Sequence, residues 1–311
     1  MSNDFDIVVA GGGIAGLTAG LVAARLGRKA LVLTGDMLGG NLLSIERIEG
    51  YPGFPDGVAG YDLCPLVQGQ AAEAGAEFAA AALRRLDGHA PDFRLVTDGG
   101  EIGARAVILA TGASMKTLGV PGEDRLKGKG VSHCASCDGP LLRDSVVAIV
   151  GGGDSALQES LTLAQHVSRV IVFHRGEALS AQASFRERVG AHPKIEVRYK
   201  TVVEEILGQN AVSGVRVRGV GRGNDGGAPE VVEVAGVFVY AGLAPNTAFL
   251  DGRLPLDRSG RVPTDGAMAS EHAGLFAAGS VRAGSPGRAV ASAGEGAAAA
   301  IAAHRYLGEI A

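Results

Sequence analysis

Short apolar runs closed by glycine alternate along the chain with longer alanine-rich stretches. The first run, residues 5–10 (FDIVVA), is β-branched and apolar, the pattern of a buried strand. Gly11, Gly12 and Gly13 end it, residues 17–26 have helical composition, and residues 29–34 (KALVLT) form a second apolar run. The pattern predicts strand, turn, helix, strand. It returns as residues 145–150 (SVVAIV), then Gly151, Gly152 and Gly153, then a helix-like stretch at 155–167 and a strand at 169–174 (RVIVFH). Two glycine turns so far apart mark a repeated nucleotide-binding unit rather than a short-period solenoid. Further strands are expected at 106–112 (AVILATG), 231–242 (VVEVAGVFVYAG) and 274–279 (GLFAAG), and a helix at 289–307. Residues 219–228 (GVGRGNDGGA) read as a flexible hairpin tip.

With 311 residues the chain is long enough for two domains. Its 46% hydrophobic and 20% charged residues are an ordinary globular mixture. A net charge of −4, no Trp and few aromatics argue against a nucleic-acid surface. No apolar run has the length of a membrane helix, so no membrane partner is expected. The segment Met1-Ser2-Asn3-Asp4 carries no basic stretch, and the apolar run behind it breaks at Gly11. A strand is therefore expected there rather than a signal peptide, with the cytoplasm as the location. Cys64, Cys134 and Cys137 are the only cysteines, an odd number that does not suit a secreted disulfide framework.

Gly11-x-Gly13-x-x-Gly16 follows a strand and opens a helix. Glycines there allow a tight turn and close approach of the backbone to a pyrophosphate, which the helix N-terminus attracts. Gly151-x-Gly153-x-x-Ala156 repeats the signature in the same context. Two dinucleotide folds in one chain point to an enzyme that brings a flavin and a nicotinamide nucleotide together. Cys134-Ala135-Ser136-Cys137-Asp138 precedes the second unit. Three-residue spacing on a helical turn brings the sulfurs close enough to bridge, and no second Cys or His pair completes a zinc set, so no metal is expected. Asp138 reads either as a helix-start acid or as a proton donor and acceptor for a sulfur. His133 reads either as a surface residue or as a group that tunes the adjacent thiol. Cys64 reads as structural.

Together these motifs, with Gly39-Gly40-Asn41-Leu42, Tyr51-Pro52-Gly53, Ala110-Thr111-Gly112-Ala113 and residues 274–279, resemble the low-molecular-weight thioredoxin reductases. The resemblance extends over nearly the whole chain. It implies an α/β fold of two three-layer Rossmann-like domains, the second inserted into the first. Residues 1–114 plus 243–311 would bind FAD, and residues 115–242 would carry the cysteine pair and an NAD(P)H-type fold. FAD would lie on Gly11, Gly13 and Gly16, on Gly39, Gly40, Asn41 and Leu42, and on Ala110, Thr111 and Gly112. Gly279, Ser280, Arg288, Ala289 and Val290 would complete that site. The second nucleotide would meet Gly151, Gly153, Asp154, Ser155, Ala156, His174 and Arg175. Cys134, Cys137 and Asp138 would be catalytic, with Cys137 beside the flavin, Cys134 attacking the partner disulfide and Asp138 as acid and base. The resemblance further implies a homodimer, domains that rotate, and a thioredoxin-like protein or another disulfide as substrate.

The chain departs from that family at its cofactors. The usual His-Arg-Arg-x-x-x-Arg stretch, which holds the 2′-phosphate of NADPH, reads His174-Arg175-Gly176-Glu177-Ala178-Leu179-Ser180. A charge-assisted hydrogen bond of the kind those arginines make is worth ~1.5–3 kcal/mol. NADPH held by Arg175, Arg186 or Arg188 and a donor other than NADPH (NADH, ferredoxin or another flavin) both stand at this point. On the flavin side, the usual Gly-Asp is Gly279-Ser280, the Asn before the aromatic-Pro-Gly is Gly50, and the Arg-Gln pair reads Gly287-Arg288. Besides a disulfide reductase, a small-dithiol oxidase and a flavin redox sensor remain as readings.

Overall fold

The computed structural model describes residues 4–221 and 227–310; residues 222–226, in the expected hairpin tip, lie outside the described residues. The chain divides into two compact units, Met1–Ser114 with Ala244–Ala311, and Met115–Leu243. The chain passes between them twice, through strands Ala113–Met115 and Leu243–Pro245, which pair with each other.

In the first unit, strands Glu77–Ala79, Ala30–Leu33, Phe5–Ala10, Gly100–Leu109 and Leu275–Ala277 lie side by side, all parallel. The early part of Gly100–Leu109 also joins an antiparallel meander with Asp92–Thr97 and Leu83–His89. Alternate residues serve opposite faces. Val8, Ala10, Leu31, Leu33, Val107 and Leu109 pack on Leu250, Leu275 and Val281. Ile7, Val9, Val32, Ala106 and Ile108 pack on alanines of the helices Ile14–Arg25 and Ala289–Glu309. Both faces are buried, which is why these strands read as unbroken apolar runs. The two helices approach so closely that a Cβ on Gly296 would lie 2.1 Å from the Ala15 carbonyl oxygen. The helix Gly60–Glu73 and the meander strands carried no clear signal; Pro65 sits inside that helix and hides it.

The second unit holds a parallel sheet in the order Ile195–Arg198, Arg169–Phe173, Val146–Val150, Gly236–Val239, Val131–Ser132. A separate antiparallel sheet comprises Thr201–Leu207, Gly214–Gly219 and Glu230–Val232. The apolar run at 231–242 is thus not one continuous strand. Residues 231–234 alternate between exposed and buried, as an antiparallel strand with one wet face does, whereas Gly236–Val239 are buried throughout in the parallel sheet. The chain changes sheet between them. No helix among the described residues is long and apolar enough to cross a membrane.

Candidate functional site

The first glycine turn sits at the C-terminal ends of the parallel strands of its unit, the end where α/β sheets bind ligands. Gly11 has φ +126°, and a Cβ there would lie 2.2 Å from the Ala110 carbonyl oxygen; one on Gly16 would lie 1.8 Å from the Gly11 oxygen. These two glycines let strand, turn and helix meet backbone to backbone. Gly13 is different: a Cβ there would meet nothing within 4 Å. It caps the helix Ile14–Arg25, whose start has no side-chain cap and no acid in its first turn. The Gly39 N–H donates to the Gly12 carbonyl at 2.8 Å, and Gly40 approaches Gly13 with only 3.9 Å between its Cβ position and the Gly13 Cα. A lane free of side chains therefore crosses an uncapped helix N-terminus.

Neighbouring segments are fastened to this lane. Asn41 Nδ2 donates to the Ala113 carbonyl at 2.7 Å, joining the Gly39–Leu42 corner to the Ala110–Ala113 corner. Thr111 and Asn246 exchange bonds of 2.8 and 2.9 Å, and the Asn246 N–H reaches the Gly112 carbonyl. Gly279 (φ +76°) packs against Ala15 and Ser292, and its N–H donates to Glu295 Oε2 at 2.7 Å. Arg282 holds the other carboxylate oxygen at 2.8 Å, with both side chains largely buried. Ser280 is half-buried, Ala289 packs with Ile14, Ile48 and Leu63, and Arg288 and Val290 are exposed at the start of the last helix. A dinucleotide pyrophosphate fits the Gly13–Gly40 lane, which leaves backbone N–H groups facing open space. Asn246 and Glu295 escaped sequence reasoning because neither lies in a glycine motif.

The second glycine turn repeats this geometry in its own unit. Gly151 (φ +156°) would carry a Cβ 2.5 Å from the Tyr240 carbonyl oxygen, whereas at Gly153 the nearest atom is Ser180 Oγ at 3.8 Å. Gly153 caps the helix Asp154–Leu163 without a side-chain bond. The loop after the strand Arg169–Phe173 folds back onto this turn. Ser180 and Ala181 N–H donate to the Gly152 carbonyl, Gln182 N–H donates to Asp154 Oδ1 at 2.7 Å, and a Cβ on Gly152 would strike the His174 ring. His174 Nε2–H donates to the Ala178 carbonyl at 2.9 Å. Ser155 and Ala156 lie in the first turn of the helix, Ala156 buried, while Arg175 is exposed. Glu177 is engaged by Lys200 at 2.8 Å, which holds its carboxyl below the usual range. The turn suits a pyrophosphate. Toward a 2′-phosphate the loop offers Arg175, and Lys200, before the strand Thr201–Leu207, is already paired with Glu177.

Cys134 and Cys137 form a disulfide with a Cα–Cα distance of 5.3 Å. Cys134 lies just outside the short helix Ala135–Asp138 as its extended N-cap, and the Cys137 N–H donates to Cys134 Sγ at 3.3 Å. Ser136 Oγ lies 3.5 Å from the same sulfur, and Ser132 Oγ accepts from the Cys134 N–H. Cys137 is exposed; Cys134 and Asp138 are half-buried. Asp138, next to Cys137 in the same turn, is within the electrostatic reach of Tyr240. His133 Nδ1–H donates to the Val239 carbonyl at 2.7 Å, so that ring nitrogen is committed to the backbone and not to a sulfur. Cys64 is fully buried, and burial pushes its thiol up to about 11, so it stays protonated.

Comparison with known proteins agrees with this arrangement. The family described as pyridine nucleotide-disulphide oxidoreductase matches residues 5–296. Thioredoxin reductase of Treponema pallidum is 37% identical over 309 residues, covering 99% of this chain and 98% of that protein. The crystal structure of Lactococcus lactis thioredoxin reductase (FR conformation) matches with a TM-score of 0.94 at 31% identity, covering 98% of this chain and 100% of that one. The structure of T. acidophilum thioredoxin reductase matches with a TM-score of 0.92 at 29% identity, over 100% of both chains. The chain belongs to the pyridine nucleotide-disulphide oxidoreductase family, among the low-molecular-weight thioredoxin reductases.

Proposed function

We propose that the chain is an FAD-dependent disulfide oxidoreductase that reduces a thioredoxin-like protein through Cys134 and Cys137. The observation that carries this reading is the formed disulfide on a short helical turn with one sulfur exposed and an acid beside it. The glycines of the Gly13–Gly40 lane would hold FAD, which would supply two-electron transfer from a donor to the disulfide. The first unit is the FAD domain. The second, with Gly151, Gly153, Asp154, Ser155, Ala156, His174 and Arg175 around its turn, is the nicotinamide nucleotide domain.

The remaining steps belong to the chain's own residues. Two electrons and two protons break the S–S bond and leave a dithiol. Asp138 exchanges a proton with the adjacent Cys137 sulfur. This reading gives the attack on the partner to Cys137, the more exposed sulfur, where the family resemblance implies Cys134. Cys137 attacks the partner disulfide and forms a mixed disulfide. Cys134 then attacks the Cys137 sulfur, releasing the partner as a dithiol and restoring the internal bond. Cys134 suits that role, because the Cys137 N–H and the Ser136 hydroxyl lie beside its sulfur and favour its thiolate. The same reading takes the protein as a cytoplasmic homodimer, with ferredoxin as the alternative donor should no nicotinamide nucleotide serve. Sedimentation analysis tests the dimer.

The test is a trapping experiment. Reduced Cys134→Ser protein, mixed with single-cysteine thioredoxin whose remaining sulfur is held as a thionitrobenzoate disulfide, expels thionitrobenzoate and accumulates a mixed disulfide through Cys137. If the Cys137→Ser variant traps the partner instead, the sulfur roles are wrong. If neither variant traps it and the native protein reduces no disulfide, the function is wrong.

A further inference from the structure

Beneath the disulfide, the end of one strand grips the residue that leads into it. The strand Gly236–Val239 lies between Val146–Val150 and Val131–Ser132 in the parallel sheet of its unit; Val239 is its last residue and Tyr240 follows it. The Val239 carbonyl accepts from the ring of His133 at 2.7 Å. The Tyr240 hydroxyl donates to the main-chain carbonyl of His133 at 3.2 Å and is hydrogen-bonded by the Ala135 N–H. His133 is thus held by ring and backbone at Val239, the end of that strand, and at Tyr240, the residue after it, and Cys134 lies between the two peptide groups that Tyr240 joins. We infer that Tyr240 is a positioning residue that fixes Cys134 where the Cys137 N–H and Ser136 support its sulfur. The inference rests on the disulfide-exchange reading above.

Several features suit Tyr240 to this task. The side chain is 7% exposed, so its bonds are shielded from competing water. The charged and titratable groups around it are Asp138 on the redox turn, His133 before it and Glu159 on the helix Asp154–Leu163, which is itself 6% exposed. His166, beyond that helix, faces the redox turn at Gly139. Burial first, then the carboxylates of Glu159 and Asp138, push the phenol far above its ordinary range, so it remains an O–H donor through working pH. The Tyr240 O–H therefore remains available to the turn as a donor at working pH. Cys134 must resolve the mixed disulfide as a thiolate, and its pKa depends on donors staying within bonding distance of its sulfur.

The test compares Tyr240→Phe with the native protein after reduction. Iodoacetamide labelling of Cys134 is followed against pH by mass spectrometry, alongside the lifetime of the mixed disulfide with thioredoxin. Tyr240→Phe is expected to move the Cys134 labelling midpoint upward and to slow both labelling at neutral pH and resolution about three- to tenfold, half to one decade of thiolate. Reduction of bound FAD by its electron donor is expected to be unchanged. A purely structural role would lower the melting temperature and leave the labelling profile in place; that result overturns the inference. Should Tyr240→Phe fail to fold, His133→Ala removes the ring half of the clamp and His133→Asn restores a donor. A shifted profile in Ala that returns in Asn supports the clamp, and identical profiles in Ala and native protein refute it. Because labelling needs no partner, failure to reduce thioredoxin would count against the proposed function and leave the clamp's own result readable.

Discussion

Replacing Glu295 with Ala removes a side chain that joins the Gly279 turn to the last helix. In the native protein its carboxylate accepts from the Gly279 N–H at 2.7 Å and from Arg282 at 2.8 Å, with side-chain exposures of 10% for Glu295 and 14% for Arg282. Alanine is the best helix former, so the change does not weaken the helix itself. The destabilisation comes from an unpaired N–H and from a buried guanidinium that loses its counter-charge and keeps only its bonds to Thr264 and the Ala283 carbonyl. Breaking a buried pair by deleting one partner costs about 3–5 kcal/mol. That is a large part of a total stability of about 5–15 kcal/mol. At about 2–4 °C per kcal/mol for a unit of this size, the melting temperature should fall by roughly 6–20 °C. The assay is thermal unfolding followed by protein signal and by release of flavin fluorescence, since Gly279 lies beside Ala15 at the first glycine turn, the proposed FAD site. Glu295→Gln keeps an acceptor and should be less destabilised, and the Arg282→Ala, Glu295→Ala double variant should fall by less than the sum of the singles. A Glu295→Ala protein that melts within about 2 °C of native, with full flavin content, would show that the pair does not brace the turn, because a buried pair broken at one end has no cheap escape.

Other expectations follow from single sites. Gly296→Ala drives a Cβ to 2.1 Å from the Ala15 oxygen and should cost ~3 kcal/mol or more, whereas Gly294→Ala, in the same helix with nothing within 4 Å, should gain ~0.5–1 kcal/mol; chemical denaturation of both reads the contrast. Cys64 should resist iodoacetamide in the native protein at pH 8 and react on unfolding. Its pKa is raised on folding from 9.0 to about 11, so its contribution is complete below pH 9 and fades as pH rises through 11, a change of up to ~2–3 kcal/mol that Cys64→Ala should abolish. Glu177→Arg should tighten NADPH binding about tenfold with little effect on NADH, measured by calorimetry on the oxidised protein, because it replaces a carboxylate with a phosphate partner.

The glycine motifs were legible because they encode backbone requirements that side chains cannot meet: Gly11 and Gly16 are boxed in by carbonyl oxygens, and Gly13 and Gly153 face space. The parallel strands were legible because both faces are buried. The run at 231–242 misled only in its continuity, and the cue lay in its pattern, VVEV alternating and GVFV not. What could not be read were interactions between segments distant in sequence. Glu295 reaches Gly279, Asn246 reaches Thr111, and Tyr240 reaches His133 across 107 residues. Nothing local marks any of them. His133 shows the same limit: one ring nitrogen is bound to a strand carbonyl, which no spacing rule anticipates.

The proposed chemistry requires one chain to carry a flavin and a dithiol that share electrons. The decisive measurement is anaerobic titration of the purified protein with dithionite, followed at the flavin absorption band and by thiol counting. Native protein should take up twice as many electron equivalents as the Cys137→Ser variant, with two new thiols appearing per chain. Equal uptake by the two proteins, or a flavin that is reduced fully while the Cys134–Cys137 bond survives, would contradict that electron path.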